Sequence, residues 1–234
     1  MKKVLMLYCI ICILIFAGCS GQTAAGKTYG IAPPLKGLYW GMTNKEVQDV
    51  LGNEKFTCTH KDYFTQIILE DKQKLFGFDA TVQLTIIDEI DKSVYDYLPY
   101  DDEALMSARL VYNDINIDTL KKNISKYYKL QGEDRHVGLP FYYTDWKSKD
   151  TYADIKEQYV KDGLAEFREK YEAYLKRKGL DGNDGSSLAK SQNDPINAIT
   201  LAMNESGGSD CSVVFNAGGA TIINKLVEMD SSKK

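Results

Sequence analysis

The chain has 234 residues, with 29 Lys and Arg against 33 Asp and Glu, a net charge of −4, and two histidines. Length allows one large domain or two small ones, either able to bury a core. An acidic balance argues against nucleic acid as a partner, because counterion release needs clustered Lys and Arg, and two histidines leave little for imidazole-based metal or triad chemistry.

Met1-Lys2-Lys3 is a short basic start, followed by fourteen unbroken apolar residues, Val4 to Ala17. A spanning helix needs roughly 20 residues, so this run reads as the apolar region of a signal peptide covering residues 1–18. It ends in Phe16-Ala17-Gly18-Cys19-Ser20. Two small residues before a Cys resemble the bacterial lipobox. That resemblance implies cleavage before Cys19 and attachment of lipid, including palmitate-type acyl chains, to its thiol. Two or more acyl chains hold a protein stably on a membrane. The expected address is extracytoplasmic and lipid-anchored, on the outer membrane if the cell has two. Cleavage leaves 216 residues and removes two lysines and no acid, so the net charge falls from −4 to −6. Cys9 and Cys12 leave with the leader, so Cys58 and Cys211 remain, open to a disulfide or to two separate buried thiols.

Residues 19–34, rich in Gly, Ala, Ser, Thr and Pro, read as a flexible tether. The α+β domain is expected over 35–226. It opens with Trp40-Gly41-Met42-Thr43, followed by Glu46, Val47, Leu51 and Gly52. Thr43 and Glu46 make a capping box, Met42 and Val47 a hydrophobic staple, and Gly52 the helix stop. Val47, Val50 and Leu51 are expected on one apolar face. Strands follow at Phe64–Leu69, Ala80–Ile87 and Leu105–Tyr112, then a helix from Asn116 to Leu130 with Ile117, Leu120, Ile124, Tyr127 and Tyr128 inward and Gly132 as its stop. Phe141–Trp146 is a further strand.

Thr151–Lys178 is predicted as a long helix, begun by an acid-type capping box of Thr151 and Asp154. Tyr152, Tyr159, Phe167, Tyr171 and Tyr174 recur at helical spacing, and Glu-to-Lys pairs lie four residues apart. The stripe packs against its own domain or meets a partner. Residues 180–194 are a Gly/Asp/Asn/Ser loop, so 151–194 forms a helical insertion. Strands at Ile196–Met203 and Cys211–Phe215 close the domain, and 227–234 is a disordered tail. The resulting fold class is α+β, an antiparallel sheet with short helices on one face, with a helix-plus-meander unit used twice.

The stretch from Trp40 to Gly52 resembles the helix-opening motif of the BamE/SmpA lipoproteins of the outer-membrane assembly machinery. It is also similar to the wider group of β-lactamase-inhibitor-protein-like modules. The resemblance implies a short helix packed on an antiparallel sheet, and a role in envelope assembly or protein binding.

Sites for chemistry are sparse. There is no Ser-hydrolase elbow, P-loop, zincin motif or Cys-x-x-Cys. Asp181 to Gly185 fails as a calcium loop, because Gly185 stands at the fifth ligand position and Gln192 at the twelfth. Cys58-Thr59-His60 is at most half a zinc site with His136 as its only other imidazole. Asp101, Asp102 and Glu103 read as a solvated hairpin tip, and both histidines as surface residues. No metal, no cofactor and no catalysis is expected. The expectation is a binding or structural lipoprotein with an envelope protein partner. Solute or glycan binding, or a carboxylate-dependent hydrolase of envelope polymer, are the alternatives.

Overall fold

The computed structural model describes residues 29–61, 63–88, 103–135, 141–151, 195–204 and 209–221, with 154, 169, 170, 173, 176, 177 and 223 singly. The elements are α1 (Asn44–Leu51), β1 (Phe56–Lys61), β2 (Phe64–Leu69), β3 (Gln73–Leu75), β4 (Phe78–Ile87), β5 (Ala104–Tyr112), α2 (Ile117–Ile124), β6 (Lys129–Arg135), β7 (Phe141–Lys147), β8 (Ala198–Asn204) and β9 (Cys211–Asn216). All pairings between strands are antiparallel, in the order β1-β2-β4-β5-β9-β8-β7-β6, with β3 a flap on β4. The protein is therefore α+β. Each half runs helix then strands that pair mainly with their sequence neighbours, and the halves join where β5 pairs with β9.

Period-two alternation places the core on one face of this sheet. Ile67, Leu84, Ala108 and Phe215 are cross-strand partners in one row, and Leu110, Val213 and Leu201 in another. All are buried, and Val47, Leu51, Leu120 and Ile124 of the two helices join the same apolar cluster. Phe76, in the β3–β4 turn, stacks on Phe215 with ring centroids 6.2 Å apart. Trp146 is fully buried and donates its Nε1–H to Ser125 Oγ at 2.9 Å.

Four sequence expectations are corrected. The tether ends earlier than residue 34: Tyr29 and Ile31 are 2% and 5% exposed. Ile31 N donates to Asn197 Oδ1 at 2.7 Å and Asn197 Nδ2 donates back to the Ile31 carbonyl at 2.8 Å, so a side-chain amide copies a strand pairing. Second, α2 stops at Ile124. Lys129–Arg135 instead pairs with β7, and Gly132 sits at a register shift in that ladder rather than at a helix end. Tyr127 and Leu130 are accordingly 58% and 46% exposed. The ladder supplies backbone partners to a segment whose helical periodicity alone is ambiguous. Third, β1 and β3 are strands in stretches to which no element was assigned; β1 is an edge strand with neither face buried, so it lacks the alternation that marks a strand. Fourth, Val50 is 41% exposed and lies off the apolar face of α1.

Candidate binding surface

The motif from Trp40 to Gly52 is a structural joint. Thr43 N donates to Glu46 Oε2 at 2.7 Å, and Thr43 Oγ1 accepts from Glu46 N, completing the capping box. Glu103, expected at a solvated tip, instead accepts from Asn44 N at 2.6 Å and so caps the same helix from the start of β5. Met42 and Val47 are buried. Gly41 takes φ +93°, where a side chain would be strained and would press on Thr221. Its N–H donates to Leu105 O, and Leu105 N donates to Met42 O at 2.8 Å, which docks the motif on β5. Trp40 is 2% exposed and donates Nε1–H to Ile31 O at 2.6 Å. Leu51 is buried, and Gly52 at φ +59° closes the helix with its N–H on Gln48 O.

The sheet's other face carries a different set of side chains. Arg109 and Val111 of β5, Ser212 and Val214 of β9, Ala202 of β8 and Tyr143 of β7 line an open groove of about 440 Å³ that reaches Asp210 at one end. It straddles the seam where β5 meets β9. Its floor is small or β-branched, which lets a ligand approach the sheet, and its walls offer a guanidinium, a phenol and a carboxylate. Arg109 Nη2 donates to Ser212 Oγ at 3.3 Å, which orients the guanidinium across the seam.

A second cluster lies at the β1 edge. Asp88, 6% exposed, accepts the Thr65 hydroxyl on Oδ2 at 2.6 Å. His60 Nδ1 lies 2.9 Å from the same oxygen and 3.1 Å from Thr65 Oγ1. His60 Nδ1 is thus placed to donate to the carboxylate oxygen that also accepts the Thr65 hydroxyl. Asp88 Oδ1 has no hydrogen-bond partner among the described residues. The arrangement holds an imidazole in a fixed orientation on an exposed edge. Sequence reading took His60 for an unattached surface residue.

The two cysteines do not pair. Cys58 is exposed on β1 and Cys211 buried on β9, and both are free. Four strand steps separate β1 from β9, about 19 Å at ~4.8 Å per step, whereas a disulfide needs Cα atoms within ~7 Å. Burial, with the charge of Asp210 second, pushes the Cys211 thiol up to about 11. Burial also raises the Tyr112 phenol beyond its ordinary range; its hydroxyl donates to Leu75 O.

No group of three His, Cys, Asp or Glu side chains that could hold a metal occurs among the described residues. Among them, too, no helix is long and apolar enough to cross a membrane. Asp154 Oδ2 accepts from Thr151 N and Oγ1 at 2.8 Å, one half of the expected capping box, while Asp154 N donates to the Thr151 carbonyl and not to its hydroxyl. Cys19, His136, Asp101, Asp102 and the stripe of Tyr152, Tyr159, Phe167, Tyr171 and Tyr174 lie outside the described residues. The groove escaped sequence reading because its walls come from strands as much as a hundred residues apart. The only available signal was alternation, which marked Arg109, Val111, Ser212 and Val214 as facing away from the core. Comparison with family models, with characterised proteins and with solved structures finds no match.

Proposed function

We propose that this chain is an extracytoplasmic lipoprotein, anchored through Cys19, that binds a protein partner of the cell envelope on the open face of its sheet. The observation that carries the reading is the groove across the β5–β9 seam, where Arg109 and Tyr143 flank an apolar floor. Arg and Tyr are the residue types that most often anchor protein interfaces, and a β-branched floor gives them a dry base. The lipobox-like Ala17-Gly18-Cys19 supplies the anchor. The resemblance of Trp40–Gly52 to the BamE/SmpA lipoproteins and to inhibitor-like modules adds the expectation of a protein-binding role.

The finer architecture belongs to the same proposal. Residues 151–194 form a helical insertion whose Tyr and Phe stripe adds a second partner contact. Its support is the closed neck: Ser148 N donates to Asn197 O, Ile196 N to Asp150 O, and Thr151 bridges Pro195. Glu169, Lys170, Ala173, Lys176 and Arg177 are helical.

The test is a photo-crosslinking residue at Val111 or Val214 in cells expressing the full chain. One crosslinked envelope protein is expected, lost on Arg109→Glu and not produced from a crosslinker at Asp71. Equal capture from Asp71, or capture unaffected by Arg109→Glu, refutes the groove as the contact. A groove of this volume also falls within the ~300–1,000 Å³ of small-molecule sites, which favours solute or glycan binding as the second reading. Saturable protection of Tyr143 or Arg109 from chemical modification by envelope saccharides would establish it.

A further inference from the structure

The chain enters the domain at one end of the sheet. Tyr29 to Ile31 packs at the foot of β7 and β8: Gly30 N donates to Asp150 Oδ2 at 2.9 Å and Ile31 is clasped by Asn197. Asp150 and Asn197 also flank the neck of the 151–195 segment. Nine residues, 20–28, lie between Cys19 and this clasp, ten Cα steps in all. They span at most ~35 Å fully extended and ~17 Å as a flexible coil. The strand registers then sort the rest of the molecule. Lys61, Ile87, Ala104, Asn216, Ala198 and Lys147 share the clasp end. Phe56, Leu69, Tyr112, Cys211 and Met203 share the opposite end, where the groove lies.

Lysines gather at this corner of the sheet. Lys129 and Lys147 are direct cross-strand partners, an arrangement that costs stability in isolation. Lys126 and Lys149 are exposed beside them, with Tyr127 and Leu130 as exposed apolar neighbours. Lys129, Lys147 and Lys149 make no ion pair with a described residue. The described carboxylates at this end each accept hydrogen bonds: Asp150 from Gly30, Asp145 from Thr200, Asp154 from Thr151, Glu103 from Asn44 and Asp88 from Thr65. The acidic stretch 89–102 is rooted on β4 and β5, three and more strand steps from β7. The opposite end carries Glu54, Glu70, Asp71, Asp79, Asp114 and Asp210 against Lys55, Lys72 and Lys74.

We infer that the anchored domain stands on the β6–β7 corner, with these lysines against anionic phospholipid headgroups, so that the neck of the insertion faces the bilayer and the groove faces away from it. The inference rests on the anchor at Cys19. Lysines near such a surface each contribute about fivefold to binding, weakened by salt.

The test places the acylated full-length protein on phosphatidylcholine vesicles, with or without phosphatidylserine, in a Cys58→Ser background. A fluorophore is attached at Lys149→Cys or Asp71→Cys, and transfer to a headgroup acceptor is measured. Stronger transfer from position 149 than from 71 is expected, with the gap reduced by Lys129→Glu with Lys147→Glu or by omitting phosphatidylserine. Equal transfer, or stronger transfer from 71, overturns the orientation. A gap indifferent to lysine and lipid charge overturns the headgroup contact. Mass spectrometry of the same sample reports acylation, so a failed anchor is recognised separately. In that case co-sedimentation of the unacylated chain decides the lysine contact. Binding to phosphatidylserine vesicles should fall by roughly a hundredfold when Lys129, Lys147 and Lys149 are all changed to Glu, and unchanged binding overturns it.

Discussion

Replacing Asn197 with Ala should open the clasp at a cost that the geometry lets one work out. The side chain is 6% exposed and makes three hydrogen bonds: it accepts from Ile31 N at 2.7 Å, and donates to Ile31 O at 2.8 Å and to Asn216 O at 3.1 Å. The Ile31 carbonyl keeps Trp40 Nε1 as a partner, so the penalty falls mainly on the Ile31 N–H, which is left buried and unpaired. Such a group costs about 1–3 kcal/mol, and the lost bond to Asn216 about 1 more. A total near 2–4 kcal/mol should lower Tm by about 4–16 °C in a domain of this size. Gly30 offers a cross-check, because a Cβ there would lie 2.6 Å from Asn197 Oδ1 at a φ of +81°. Gly30→Ala alone combines that clash with about 1 kcal/mol of left-handed strain. In the Asn197→Ala background the clash is gone and the strain remains. The two changes should therefore be sub-additive in urea titrations followed by tryptophan fluorescence. Full additivity, or an Asn197→Ala shift below ~2 °C, refutes the idea that this amide ties the entering chain to the sheet.

Other outcomes follow from the same structure. Trp40→Ala should cost about 3–5 kcal/mol, read with Trp146 as the remaining fluorophore, whereas Thr43→Ala should cost only about 1 kcal/mol through the lost cap. An unshifted unfolding curve for Trp40→Ala would move that ring out of the core. Denatured, unreduced protein should titrate two free thiols, Cys58 and Cys211, and native protein should alkylate Cys58 much faster; a missing thiol contradicts the strand positions. Because the folded Cys211 thiol is raised from 9.0 to about 11, its contribution is intact below pH 9 and is lost as pH climbs through about 11. Cys211→Ala should thus flatten alkaline destabilisation in that window. Replacing residues 152–194 with a short Gly/Ser linker should keep a cooperative transition and add up to ~2 kcal/mol from three halvings of loop length; loss of the transition would show that the segment belongs to the core.

Local chemistry was legible and assembly was not. Thr43, Glu46 and Gly52 announce a helix within ten residues, and Val82, Leu84 and Ile86 announce a strand, because each signal is complete within its own segment. The stretch Tyr127-Tyr128-Lys129-Leu130 kept the helical spacing of α2 and misled, since only pairing with β7, more than ten residues on, decides its state. β1 gave no signal because an edge strand with both faces wet has no apolar side to alternate. The groove and the His60–Asp88 pair are further removed still: each depends on register between strands, which no single stretch encodes. The cysteine pairing was open for the same reason.

The seam sets an order on maturation. β5 finishes the first half of the sheet, yet its free edge is completed only by β9, the last strand described and about a hundred residues later. A chain folding as it is made would carry an unpaired, apolar-backed strand edge until its final segment arrived, and such edges recruit other chains. Folding through so distant a contact is slow. The protein's exposure to misassembly is therefore concentrated in that interval. A factor that holds incomplete chains would act there, on the half-built sheet.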